Sequence, residues 1–588
     1  MRRFVLGLFA AIGIVSVLVV IGTSLAAWWL LASRPSLPSS IVLTVDLSRG
    51  LAEGSSQSAF SGLLFGKKQR LRDFLDALER AGDDSRVKGL YARFSGDTIA
   101  IAKAQEVRDA IRDFRAKGKF AIAFADSFGE FGGGTRPYYL ATASDEIWLQ
   151  PMGEVGLVGL RSEVPFVRGT LDKLGIAPRF EHREEYKTAV NSLTETQMTA
   201  PQREMTEDLL GSMLGQVVRG IAEARKLPQD QVASLIDRGP FFADDAKAAQ
   251  LVDRIGYRDE AVARAHERAG SGAELVSISR YLGGAGRPHD SGAKIALIYG
   301  TGLITAGDGG GSLGGDEEMS ARKLTRAFRQ AVRDDKVRAI LFRIDSPGGS
   351  AVASETIWRE VVFARERGKP VVVSMGEVAG SGGYYVAAPA DKIVAEPATL
   401  TGSIGVLAGK LVVSGLLQKL GITTDEVETG ANAGMFSAVR DFSPEALQRL
   451  NTLLDVTYRG FKQHVAAGRH LSDDQVEAVA KGRVWTGEEA KAKGLVDELG
   501  GYATALRLAK EAAKIPPDEG FRLTLFPRTK GTLERIYDRL ANRDSDNEAD
   551  QRSTFERALT GLDTLAARLD ALIGEHGVLR MPDLGEVR

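Results

Sequence analysis

Apolar positions along the chain alternate between two patterns. Short runs rich in β-branched residues, such as Val42 to Val45, Ile295 to Ile298 and Val371 to Val373, are separated by stretches of helical period such as Phe74 to Leu78 and Leu324 to Phe328. This alternation predicts βαβ units, a parallel sheet and right-handed crossovers, hence an α/β fold. Two regions depart from it. Near the start, Arg2 and Arg3 precede an uncharged run from Phe4 to Ser33 that ends in Trp28-Trp29-Leu30-Leu31. The apolar core of a signal peptide is only ~7 to 15 residues long and a membrane span needs about 20, so the run is expected to be an N-terminal transmembrane helix. A cleaved signal ending near Ser24-Leu25-Ala26 is the alternative. The leading arginines put the N-terminus on the cytoplasmic side, and the rest of the chain then lies across the membrane, in a bacterium the periplasm. Near the other end, a charged stretch from Asn542 to Gln551 precedes Phe555, Leu559, Leu562, Leu565, Leu569 and Leu572 at helical spacing, which predicts a tail helix.

The pattern occurs twice. Tyr138-Tyr139-Leu140-Ala141 aligns with Tyr384-Tyr385-Val386-Ala387 at an offset of 246, and Leu251-Val252-Asp253 aligns with Leu495-Val496-Asp497 at 244. The opening strands and the helix-strand pairs between them correspond as well, so the chain is read as a tandem duplication. The expected organisation is an anchor over 1–36, a first repeat over 37–288, a second over 289–515 and a C-terminal helical region over 516–588. Gly283 to Pro288 forms the join. A glycine-rich stretch from Gly307 to Gly315 lacks the GK[ST] of a phosphate loop and is read as a surface loop.

Composition narrows the chemistry. A net charge of -1 with interspersed signs leaves no electrostatic footprint for nucleic acid. The absence of cysteine removes thiol catalysis and Cys-zinc sites, and the six histidines show no metal-binding spacing. Neither a metal nor a cofactor is expected.

The candidate chemistry lies where Val371 to Val373 enters Ala379-Gly380-Ser381-Gly382-Gly383 and a helix follows. A serine at such a strand-turn-helix elbow can present its hydroxyl as a nucleophile, or simply cap the helix. Comparing the repeats separates the two roles. The first repeat has Thr135 opposite Ser381, and Phe94-Ser95-Gly96-Asp97 opposite Ser346-Pro347-Gly348-Gly349. Conversely Lys187, in Tyr186-Lys187-Thr188-Ala189, has no equivalent in the second repeat, where Phe436 stands opposite it. Complementary loss of this kind predicts one composite site at the interface of the two halves. A Ser-His-Asp site using His464 or His470 is the competing arrangement.

In SPGGS, GSGGYY, LTGSIG and YKTA, distributed over the proper halves, the chain resembles the long, duplicated form of the signal peptide peptidase A (protease IV) family. These are membrane-anchored bacterial serine proteases with a ClpP/crotonase-like fold. The resemblance covers roughly Ser40 to Ile515. It implies Ser381 as nucleophile, Lys187 as general base, Ser403 as the residue that hydrogen-bonds the lysine, and Gly348, with Gly349 beside it, as oxyanion-hole glycine. It also implies apolar specificity pockets, signal peptide remnants as substrates and a homotetramer. Gly380 stands where alanine is common in the family. A crotonase-type acyl-CoA enzyme and a catalytically silent membrane scaffold are the alternatives. A free lysine has a pKa of about 10.4, and bringing it down by ~3 units takes roughly 4 kcal/mol of differential desolvation, so the base must sit in a dry interface.

Overall fold

The computed structural model describes residues 22, 36–54, 69–96, 98–307, 318–528, 578–581 and 586–587. Two sheets organise it, a parallel one of six strands and one of eight, in which Leu400–Gly402 adds parallel to Val371–Gly380 and Val484–Thr486 adds antiparallel to Leu400–Gly402. The first runs in the order Arg254–Ile255, Glu146–Leu149, Phe120–Ala125, Val87–Phe94, Ile41–Asp46 and Glu274–Ser277. The second repeats that order with Glu498–Leu499, Lys392–Ala395, Val371–Gly380, Val337–Ser346, Ala293–Thr301 and Phe521–Phe526. The strand closing the second sheet thus follows residue 515, the expected end of that repeat. Central strands such as Phe120–Ala125 are buried along their whole length. Their near-continuous apolar runs reflect a sheet covered on both faces, where no position is free to be polar.

Matching hydrogen bonds recur in the two halves. Tyr138 donates its hydroxyl to the Leu251 carbonyl, as Tyr384 does to that of Leu495. Asp253 accepts from the Ile147 amide and pairs with Arg225, as Asp497 accepts from Ile393 and pairs with Arg469. These bonds tie each central helix and sheet edge to the segment that closes the repeat. The duplication and the α/β parallel-sheet expectation therefore hold in three dimensions. Apart from Gly22, the anchor run from Phe4 to Ser33 lies outside the described residues, as does the leucine-spaced stretch from Phe555 to Leu572. Among the described residues no helix is long and apolar enough to cross a membrane.

The halves meet along an extensive seam. The helix Ile101–Ala116 of the first half packs on the strand Val371–Gly380 of the second. Within that contact Arg343, only 1% exposed, pairs with Glu53 at 2.6 Å and Glu106 at 2.7 Å, both carboxylates coming from the first half. Burying a guanidinium is tolerable only with its charge and donors matched, and here they are. Further along, the strand Ala177–His182 adds antiparallel to Leu407–Val412, with His182 opposite Leu407, so one sheet crosses from half to half.

Candidate active site

The strand Val371–Gly380 ends at Ser381, and the short helix Gly382–Ala387 begins immediately after it. Ser381 adopts φ 54° and ψ -115°. A left-handed φ is strained for a side chain with a Cβ, and strain of this kind persists only where the surroundings hold it. The Ser381 amide donates to the Gly402 carbonyl at 2.8 Å, and Tyr385 closes the first helical turn onto the Ser381 carbonyl at 2.8 Å. Although the residue occupies the helix cap position, its side chain makes no cap bond. That hydroxyl is turned toward the other half of the molecule. At the matching position of the first half, the Thr135 hydroxyl is taken up by bonds to the loop around Gly159.

Lys187 meets it there. Nζ lies 2.8 Å from Ser381 Oγ, 3.0 Å from Ser403 Oγ and 3.0 Å from the Ser403 carbonyl oxygen. All three residues are 0% exposed. Burial alone pushes the lysine well below its ordinary range, because among the described residues no carboxylate stands close enough to hold the ammonium. A neutral amine has two hydrogens and one lone pair. The carbonyl can only accept, so one hydrogen goes there, a second serves Ser403 Oγ, and the lone pair is left for the Ser381 hydroxyl.

Backbone contacts across the seam deliver the lysine. Beyond the shared strand pair, the Arg183 amide donates to the Val406 carbonyl at 2.9 Å and that of Tyr186 to the Lys481 carbonyl at 3.2 Å. Gly482, at φ +77°, then lies flat against Lys187: a Cβ added to it would stand 2.5 Å from the lysine amide nitrogen. A Cβ on Gly405 would come within 3.0 Å of the lysine Cδ. These two glycines escaped the sequence reading, since each resembles any other loop glycine until the lysine is packed on it. Ser403 is itself left-handed, at φ 51°.

Ser346 to Gly349 flanks the elbow. A Cβ on Gly382 would come within 3.2 Å of the Gly348 Cα, and one on Gly383 within 2.7 Å of the Ser346 carbonyl oxygen. The Gly348 amide donates at 3.2 Å to Ser346 Oγ, which in turn donates to the Gly302 carbonyl. Gly349 has a separate reason to be glycine, because a Cβ there would be 2.2 Å from the Ile304 carbonyl oxygen of the adjoining strand. The histidines of the competing arrangement lie elsewhere. His464 stacks on Trp358 and reaches Glu355 at 3.1 Å, while His470 ends the helix Pro444–Arg469 as its left-handed cap.

The profile of peptidase family S49 matches the chain twice, over residues 113–271 and 364–516. The chain belongs to peptidase family S49. "Serine protease SPPA, chloroplastic" of Arabidopsis thaliana is 31% identical over 506 residues, covering 84% of this chain and 72% of its own. "Protease 4" of Salmonella typhi is 34% identical, covering 76% of this chain and 73% of its own, and "Protease 4" of Haemophilus influenzae is 31% identical over 75% and 72%. This S49 peptidase is accordingly a serine peptidase with its family domain in two copies, which displaces the acyl-CoA and scaffold alternatives. Ser381, Lys187 and Ser403 converge within one buried cluster of this duplicated peptidase.

Proposed function

We propose that this S49 serine peptidase works through a Ser-Lys dyad, with Ser381 as nucleophile and Lys187 as general base. The observation that carries the reading is the 2.8 Å approach of Lys187 Nζ to Ser381 Oγ in a site with no counter-charge among the described residues. In this scheme the Ser381 proton passes to Nζ as Oγ attacks the substrate carbonyl carbon. The resulting ammonium then protonates the departing amine, and a water deprotonated by the same lysine hydrolyses the acyl-enzyme. Ser403 orients the amine through its hydroxyl and carbonyl. The Gly348 amide, released from Ser346 Oγ, donates to the oxyanion, with Gly349 shaping the strand beside it; one such donor is worth about 2.7 to 4 kcal/mol in kcat.

The substrates that fit are cleaved signal peptides and similar apolar peptides, degraded by an enzyme held at the outer face of a bacterial inner membrane by the Phe4 to Ser33 run. The working form is a homotetramer, and the two repeats, 37–288 and 289–515, act as one catalytic unit. The test is labelling with an active-site serine reagent. Wild type is expected to label at Ser381, Ser381→Ala not at all, and Lys187→Ala at least about a hundredfold more slowly, within the range that a positioned base contributes. Equal labelling of all three would overturn the dyad.

A further inference from the structure

The strand that carries Gly348 pairs on one side with Leu303–Thr305, but on the other it does not meet the strand Leu407–Val412 directly. Between Gly348–Ser350 and Leu407–Val412 lies a third strand, Val578–Arg580, from the C-terminal end of the chain. It runs antiparallel to both: Gly348 faces Arg580, Gly349 faces Leu579 and Ser350 faces Val578, with Leu407 opposite Val578 on the other side. The next amide, that of Met581, donates to the Pro347 carbonyl at 2.7 Å. Without this segment, two strand edges would face each other across a slot one strand wide. Such a slot takes an extended peptide, with main-chain bonds for affinity and side-chain pockets for selection.

Met581 occupies the pocket at the end of that slot. It is 8% exposed and packs with Met205 and Leu209 of the first half and Val484 of the second. Its sulfur would lie 2.6 Å from a Cβ on Gly380, the residue immediately before the nucleophile. Glycine at this position, where the family resemblance suggests alanine, thereby leaves room for the methionine. Farther on, Glu586–Val587 pairs antiparallel with Ser162–Glu163 of the first half. The end of the chain is therefore fixed to the second half before the site and to the first half after it.

We propose that the C-terminal segment is a built-in pseudosubstrate: Val578–Met581 fills the peptide slot, seats Met581 in the apolar pocket beside Ser381, and holds the enzyme closed until a substrate displaces it. The proposal rests on the Ser381-Lys187 reading and extends it by naming the occupant of the site. It also names the preferred substrate, an extended peptide with a long apolar side chain that is unbranched at Cβ, such as methionine or leucine, in the pocket formed by Met205, Leu209 and Val484. The pocket draws on both halves, so selection as well as catalysis is a property of the seam.

The experiment uses the full chain, a chain ending at residue 577 and Met581→Arg, which puts a charge into the pocket. Each is assayed with a fluorogenic peptide bearing methionine and labelled with the serine reagent. If the slot is closed nine-tenths of the time, the shortened chain and Met581→Arg should each show a KM lower by about tenfold and correspondingly faster labelling. A synthetic peptide of residues 577–588 should restore inhibition of the shortened chain competitively, and the same peptide with arginine at the methionine position should not. Thermal melts verify that both variants remain folded. Equal KM and labelling rates in all three proteins, with no inhibition by the peptide, would overturn the strap while leaving the dyad intact. Absence of labelling in all three would instead count against the dyad.

Discussion

Lys187 is buried with no counter-charge among the described residues, so its titration should be visible in both activity and stability. In the proposed mechanism activity needs the neutral amine and should rise with pH through the lowered pKa to a plateau. For stability, the unfolded chain keeps the lysine protonated up to its ordinary range while the folded protein releases that proton earlier. The unfolded state binds more protons in that window, and stability therefore rises with pH across it. Lys187→Met, similar in length and apolar, should abolish peptide cleavage, flatten this rise and leave the protein at least as stable below the window, as checked by denaturant titration at several pH values. Asp345, one residue before the Ser346 turn, has the opposite sign. Burial, with Glu377 and Glu53 nearby, pushes its carboxyl up to about 7. The folded state then holds the extra proton, and stability falls as pH rises from the ordinary carboxylate range toward 7. Asp345→Asn can keep the bond from the Val378 amide and should remove this slope. Ser381 and Lys187 could be picked from the chain through a glycine-rich turn and the mismatch between repeats, whereas Ser403 came only from the family resemblance. Which residues desolvate the lysine was not visible in the sequence, since desolvation depends on what packs around it.

At the scale of elements, the site depends on turns that only a few residue types can make. Ser381, Gly402, Ser403 and Gly482 all lie at positive φ within the loops that converge on Nζ. Gly482→Ala would add left-handed strain, about 1 to 2 kcal/mol, and press a methyl group onto the Lys187 backbone. The expected result is a modest drop in melting temperature with a loss of about a hundredfold in labelling rate, since displacement of a catalytic group by ~1 Å costs that much. An unchanged labelling rate would mean that the lysine is not held from this side. The strand Val371–Gly380 and its elbow were legible from β-branched residues running into glycines. The pairing of Ala177–His182 with Leu407–Val412, which carries the lysine across, was not, because neither strand's sequence names its partner.

For the molecule as a whole, the proposed dyad requires two homologous halves to stay in register. The buried Arg343 with Glu53 and Glu106 sits on that seam, and Arg343→Met would leave Glu106 without its cation and Glu53 with only Lys103, at 3.9 Å, in the interior. A cost of about 3 to 5 kcal/mol is expected, recovered in large part when Glu53→Gln and Glu106→Gln are added. Chemical denaturation measures it. Serine labelling should fail at a lower denaturant concentration in Arg343→Met than in wild type, if opening of the seam separates Ser381 from Lys187.

The sequence alone determined the duplicated α/β architecture, the serine elbow and the assignment of the lysine to the other repeat. Hydrophobic period, turn chemistry and internal repetition are written within short windows of the chain, and each survives folding unchanged. Tertiary structure decided the rest. It alone brought Gly405 and Gly482 against the lysine and buried the amine, which disfavours its charged form. It also alone put Val578–Met581 between two strands more than 160 residues away, because strand addition joins backbone edges and leaves almost no signature in the residues that pair.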